Sequence, residues 1–224
     1  MLGLPETVTG CLFDLDGVLT DTASVHRAAW REVFEAVTGK PFTDSDYEVY
    51  VDGKPREAGV RDYLKSLGET PDEQRVKEVS DRKNALVQDK IAKDGVVVFE
   101  GSRRYLEACV EKGLRRAVVS SSANTALVLH VTGLESLIEE RVDGVTAAQE
   151  HLAGKPAPDT FLAGARALGL AAGQCAVFED ALAGVEAGRA GHFGHVVGVD
   201  RVGHGPALEE HGAQTVVRDL GELL

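Results

Sequence analysis

The chain has 224 residues, 43% of them hydrophobic and 27% charged, which suits a globular core with a modest insertion and excludes disordered, collagen-like and coiled-coil classes. Its 24 Lys and Arg against 36 Asp and Glu give a net charge of −12, a poor match for nucleic acid or an anionic membrane surface. No apolar run approaches the roughly 20 residues of a membrane span, Met1 leads into no secretory signal pattern, and the scattered cysteines Cys11, Cys109 and Cys175 read as buried, reduced thiols of a cytoplasmic protein.

In chain order, residues 9–13 form a short apolar run that ends in carboxylates. Residues 22–94 then break the strand-like pattern. Helices are predicted there at 26–37, 55–67 and 72–92, with Gly39, Gly53, Gly68 and Gly95 as punctuation. This stretch is expected to be a helical cap inserted after the first strand, with residues 1–21 and 95–224 forming the catalytic core. Further apolar runs follow at 116–119, ending in serines, at 175–178, ending in Glu179 and Asp180, and at 195–199, ending in Asp200. Residues 215–217 are a weaker fifth candidate, and the glycine-rich 188–194 reads as a helix end before a strand. Short apolar runs between helical patterns predict buried parallel strands and hence an α/β class. Ligands of an open parallel sheet bind beyond the carboxyl ends of its strands, so the polar residues ending these runs form the candidate site.

Asp14-Leu15-Asp16-Gly17 places two carboxylates two positions apart, able to point to one side, before a glycine that lets the backbone turn away. Alone, the pattern equally describes an Asp-rich turn. A calcium loop is excluded, because the twelfth residue counted from Asp14 is Val25 rather than glutamate. Ser120, Ser122 and Asn124 follow the second run, where they could hold an anion at a helix N-terminus or simply cap that helix. At Gly154-Lys155-Pro156, Pro156 is predicted to start a helix and leave the Lys155 ammonium free at its entrance; a plain surface lysine is the alternative. Together, Asp14, Asp16, Glu179 and Asp180 would gather four carboxylates at one sheet edge, and their repulsion calls for a cation. Few oxygen ligands with room for water and a phosphate oxygen suit Mg²⁺. Lys155 and the Ser120 hydroxyl then complete the parts needed for phosphoryl transfer through an aspartyl phosphate.

These four motifs, in this order, resemble the haloacid dehalogenase-type phosphotransferase superfamily over essentially the whole chain. The resemblance implies a Rossmann-like parallel-sheet core with an inserted helical cap. It implies Asp14 as nucleophile and Asp16 as general acid/base, with Mg²⁺ held by Asp14, Asp16 (through its backbone carbonyl) and Asp180, and Glu179 at or near the metal shell. Ser120 and Lys155 would bind the transferring phosphoryl group, and Asp16 speaks against carbon–halogen cleavage. The chain is similar in particular to the β-phosphoglucomutase-like subfamily, on Asp21-Thr22-Ala23-Ser24-Val25-His26, Gly53-Lys54-Pro55-Arg56 and Arg82-Lys83-Asn84. That implies a hinge role for His26, a substrate-binding cap loop opened by Gly53 in which Arg56 grips the distal phosphate, a sugar side lined by Lys83 and Asn84, and Trp30 as an aromatic beside the substrate. Ser122 and Asn124 fall at a second set of phosphate contacts. Ala123 departs from the pattern, which has lysine there. The implied activity interconverts β-glucose 1-phosphate and glucose 6-phosphate in a monomer. A sugar-phosphate phosphatase and a catalytically idle binding module are the rivals.

Overall fold

A computed structural model describes residues 2–51 and 56–224. In chain order the elements are β1 (Gly10–Phe13), α1 (Ala23–Thr38), α2 (Asp44–Asp46), α3 (Arg56–Ser66), α4 (Glu73–Asp94), α5 (Glu100–Glu111), β2 (Arg115–Val119), α6 (Thr125–Thr132) and β3 (Glu140–Val142). There follow α7 (Gly144–Gln149), α8 (Asp159–Ala167), β4 (Cys175–Glu179), α9 (Leu182–Ala190), β5 (His195–Val199), α10 (Gly205–His211) and β6 (Thr215–Val217). The chain divides into two compact units, one of Met1–Asp21 with Val96–Leu224 and one of Thr22–Gly95.

The first unit is an α/β fold around a parallel six-stranded sheet in the order β3-β2-β1-β4-β5-β6. All four residues of β1 and all five of β4 are buried, as strands covered on both faces must be, and this is why they read as unbroken apolar runs. On one face, Leu12, Val119, Val177, Val185 and Val196 pack around Phe161 of α8. Elsewhere in this unit Phe13 stacks on Phe178 with centroids 4.5 Å apart, and Tyr105 meets both edge-on. Cys11, Cys109 and Cys175 are free and buried.

Register places the site. Phe13 pairs with Val118 of β2 on one side and with Phe178 of β4 on the other. The residues one step further, Asp14, Val119 and Glu179, therefore lie abreast at the carboxyl ends of three adjacent strands. The strand order reverses between β1 and β4, and the crevice at such a reversal is where open parallel sheets take ligands.

The second unit is helical among its described residues. Trp30, Phe34, Phe42 and Tyr63 form its aromatic core with Val33, Val60, Val76 and Val79. α1 ends at Gly39, left-handed at φ 67°, and the Asp72 side chain caps α4 by accepting from the Arg75 N–H at 2.8 Å. The three predicted helices thus stand, each within three residues of its expected limits at either end. β3 was not foreseen: it is a three-residue edge strand, Glu-Arg-Val, in which only Val142 is buried, and so it carries no apolar run to find. Among the described residues no helix is long and apolar enough to cross a membrane.

Candidate active site

Asp14 follows β1 directly, its backbone N–H bonded to the Phe178 carbonyl at 2.9 Å. Its side chain is 10% exposed and faces Lys155, whose Nζ donates to Asp14 Oδ1 at 2.5 Å, to Glu179 Oε1 at 2.7 Å and to the Val119 carbonyl at 3.1 Å. An ammonium has three donors, and all three are engaged. The face of Phe161 lies 4.7 Å away. A phosphoryl oxygen reaching Lys155 must therefore replace one of these acceptors.

The expectation that Pro156 begins a helix is corrected. The Lys155–Pro156 peptide is cis, Pro158 is the N-cap, and α8 starts at Asp159. Nor is Lys155 a free cation at a helix entrance; it is buried between two carboxylates.

Glu179, 1% exposed, ends β4. Its Oε1 accepts from Lys155 and its Oε2 from the Ala181 N–H at 2.9 Å. Gly184, in the first turn of α9, makes room for it: a Cβ there would stand 1.8 Å from Glu179 Oε1. The close approach at Gly184 is thus onto a carboxylate. Gly17, at φ +81°, meets Asp180 in the same way, with a hypothetical Cβ 1.8 Å from Asp180 Oδ2.

Asp14, Glu179 and Asp180 bring one carboxylate oxygen each within 4.8 Å of one another. Burial, with the negative charge of Glu179 and Asp16 behind it, raises the Asp14 carboxyl to about 8 against the pull of Lys155. Burial, then Glu179, Asp14 and Asp16, holds Asp180 well above the ordinary carboxylate range. Burial disfavours the charged Lys155, but Asp14 and Glu179 outweigh it and its ammonium titrates above the usual lysine value. One lysine does not neutralise this set, and an all-oxygen cluster short of positive charge is chemically fitted to a hard divalent cation.

Asp16 is part-buried in a loop that closes on itself: the Leu15 carbonyl accepts from Leu19 N–H, Thr20 N–H and Thr20 Oγ1, and Gly17 N–H donates to Thr20. Ser120, 3% exposed, follows β2; its Oγ accepts from the Ser122 N–H at 3.1 Å, which leaves the hydroxyl proton available to an anion. Ser122 Oγ accepts from the Asn124 N–H at 3.2 Å. Asn124 stands at the N-cap of α6 without capping it through its side chain, so plain helix capping does not account for it.

In the helical unit, Lys83 Nζ lies 2.9 Å from His26 Nδ1 and 4.8 Å from the Trp30 ring centroid. Lys83 is 4% exposed, unusual for a helix lysine. Burial, then Lys83 and Arg56, lowers His26 to about 3. The ring is neutral, and with Nδ1 accepting from the ammonium its proton sits on Nε2. Trp30 is 4% exposed and stacks on Phe34 at 4.9 Å, so it belongs to this unit's core. Arg56 opens α3, and burial lowers its guanidinium against Asp81 and Glu57. Asn84 is part-buried on α4, and Gly53 lies outside the described residues. Phe161 beneath Lys155 carried no signal, since one phenylalanine on an apolar helix face reads as core.

Residues 8–192 match the haloacid dehalogenase-like hydrolase family. The chain is 52% identical to β-phosphoglucomutase of Mycobacterium bovis, covering 100% of this chain and 94% of that protein. It is 34% identical to β-phosphoglucomutase of Bacillus subtilis over 95% of this chain and 90% of the relative. Among solved structures, β-phosphoglucomutase from Clostridium difficile superposes with a TM-score of 0.82 at 25% identity, covering 97% of this chain and 93% of the other.

Proposed function

The chain belongs to the haloacid dehalogenase-like hydrolase family, and on that premise we propose that it is a Mg²⁺-dependent sugar-phosphate phosphotransferase that interconverts β-glucose 1-phosphate and glucose 6-phosphate. The observation that carries the chemistry is Lys155, held between Asp14 and Glu179 within the carboxylate cluster. Full-length similarity to two β-phosphoglucomutases supports the substrate.

Asp14 is the nucleophile. Lys155 gives up its bond to Asp14 Oδ1 for a phosphoryl oxygen, which frees the attacking oxygen and places positive charge on the group being transferred. Glu179 keeps its own bond to Lys155 throughout and so aims the ammonium. Ser120 donates its hydroxyl proton to a second phosphoryl oxygen. Phospho-Asp14 then passes its phosphoryl group to the sugar hydroxyl, whose proton Asp16 accepts; the 1,6-bisphosphate turns over and returns its other phosphate to Asp14, with Asp16 giving the proton back. Asp14, Asp180 and the Asp16 backbone carbonyl would hold Mg²⁺, with Glu179 at the edge of the shell because both its oxygens are engaged. The bound cation supplies charge neutralisation for carboxylates and phosphoryl group alike.

Ser122 and Asn124 from the core, and Gly53, Arg56, Lys83 and Asn84 with His26 from the helical unit, serve the phosphate and sugar that are not reacting. Residues 22–94 act as the cap that excludes water, since water attack on phospho-Asp14 would yield a phosphatase. The test supplies Mg²⁺, β-glucose 1-phosphate and a trace of glucose 1,6-bisphosphate, and follows glucose 6-phosphate and free phosphate together. Glucose 6-phosphate with negligible phosphate is expected. Phosphate without isomerisation would replace the reading by a sugar phosphatase. Asp14→Asn should lose activity by about a thousandfold or more, and a variant retaining full activity overturns the aspartyl-phosphate mechanism.

A further inference from the structure

Arg201 lies two residues beyond β5, part-buried with 18% of its side chain exposed, and matches none of the motifs above. Its guanidinium has five N–H donors, and five acceptors surround it. Nε donates to the Gly17 carbonyl at 3.0 Å, and Nη2 to the Val18 carbonyl at 3.3 Å and Ser102 Oγ at 3.4 Å. Nη1 donates to the Arg218 carbonyl at 2.9 Å and to Asp219 Oδ2 at 2.8 Å. The Arg201 Cζ lies over the Phe99 ring, 3.7 Å from the centroid.

Gly17 and Val18 follow Asp16 directly. The loop satisfies its inward groups by itself, through Leu15 and Thr20, but its Gly17 and Val18 carbonyls turn to Arg201, with Ser102 Oγ also donating to Val18 at 2.7 Å. The anchors on the far side are themselves tied in. Phe99 and Ser102 belong to the start of α5, where Phe99 N–H donates to the Leu19 carbonyl at 3.0 Å and Val98 bridges to Thr20. Asp219 sits so close to Gly101 that a Cβ there would come within 1.5 Å of its Oδ1. Burial opposes ionisation of Asp219, but hydrogen bonds from Arg201 and the Gly221 N–H hold it below the ordinary carboxylate range.

We propose that Arg201 is a positioning residue, which fixes the Asp16 loop against α5 and the C-terminal turn so that Asp16 meets the acceptor hydroxyl. The inference rests on the aspartyl-phosphate reading above. In the step concerned, the hydroxyl oxygen attacks phosphorus, the bond to Asp14 breaks with its electron pair returning to the carboxylate, and the hydroxyl proton passes to Asp16. Phosphorylation of Asp14 by acetyl phosphate needs no such proton, because acetate leaves as the anion. Phosphorylation at saturating Mg²⁺ therefore reads Asp14 and the metal site, the Asp16 carbonyl included, whereas transfer adds the demand on the Asp16 side chain.

The experiment measures both in the full chain with Mg²⁺: phosphorylation by acetyl phosphate, followed by intact mass, and then transfer to β-glucose 1-phosphate or to water. At saturating Mg²⁺, Arg201→Met should phosphorylate within about twofold of the wild type but transfer about tenfold more slowly or worse. Arg201→Lys should show the same imbalance, since one ammonium cannot reproduce a five-donor planar fork. Ser102→Ala, which removes one of the two pins on Val18, should show it more weakly. Where Arg201→Met does not fold, the lysine and Ser102 variants decide. Equal loss in both half-reactions, or loss in neither, overturns the positioning role. A wild type that acetyl phosphate does not phosphorylate overturns the aspartyl-phosphate reading and this inference with it. A wild type that is phosphorylated but transfers only to water overturns the mutase reading alone, and transfer to water, which also gives a proton to Asp16, then decides for Arg201.

Discussion

Asp14 and Lys155 are each 10% exposed at the side chain, and their energetics follow first from burial and then from too few positive charges among too many carboxylates. Folded Asp14 keeps its proton up to about pH 8, whereas an unfolded carboxyl ionises in the ordinary acid range. Across that interval the unfolded chain binds fewer protons, so this group makes the metal-free protein less stable as pH rises. A cation that displaces the proton reverses the effect, and it competes best where the proton is already weakly held. The rise in Tm on adding Mg²⁺ is therefore expected to be larger at about pH 9 than at about pH 6, and to shrink in Asp14→Asn. Thermal melts with and without the metal at the two pH values check this; a pH-independent shift would remove Asp14 from the metal site. Lys155→Met leaves Asp14 and Glu179 buried without their partner, and should cost about 3 kcal/mol in metal-free denaturant melts.

The elements place these side chains by register and by the absence of a Cβ. β1 pairs Phe13 with Phe178, the penultimate residue of β4, which sets Asp14 beside Glu179 before any side-chain choice is made. The first turn of α9 then passes so close to Glu179 that only glycine fits at 184. In an exposed helix, glycine to alanine stabilises by roughly 1 kcal/mol. Gly184→Ala should do the opposite, destabilising by about 1–3 kcal/mol as Glu179 is forced from its pocket. Activity should fall with it, because Glu179 aims Lys155. Chemical denaturation together with a rate measurement tests both, and a stabilised, fully active variant would show that α9 yields instead.

At the scale of the whole molecule, a net charge of −12 repels an anionic sugar phosphate at long range. In the proposed reading, attraction is confined to short range, at Lys155. Screening weakens the long-range part first, because the Debye length falls to about 10 Å at 0.1 M salt. kcat/KM for the sugar phosphate should therefore rise as ionic strength is raised from low values towards that range. A monotonic fall would mean that the local cations dominate capture, and a salt series with an inert electrolyte distinguishes the two.

Sequence by itself determined the parts that local chemistry encodes. Apolar runs marked five of the six strands, helical periodicity marked α1, α3 and α4, and the order of four polar motifs identified the family. Each signal lies within a window of a few residues, where side-chain period and turn chemistry leave little freedom. Tertiary structure decided what partners those residues have. Lys155 reads as an exposed cation until the fold brings it to Asp14 from 141 residues away; Lys83 reads as helix surface until α1 sets His26 and Trp30 against it. Arg201 has no local pattern at all, since its meaning depends on carbonyls 183 and 184 residues distant. Burial and pairing of charge arise only when distant segments close around it and remove water, and a linear pattern does not carry that information.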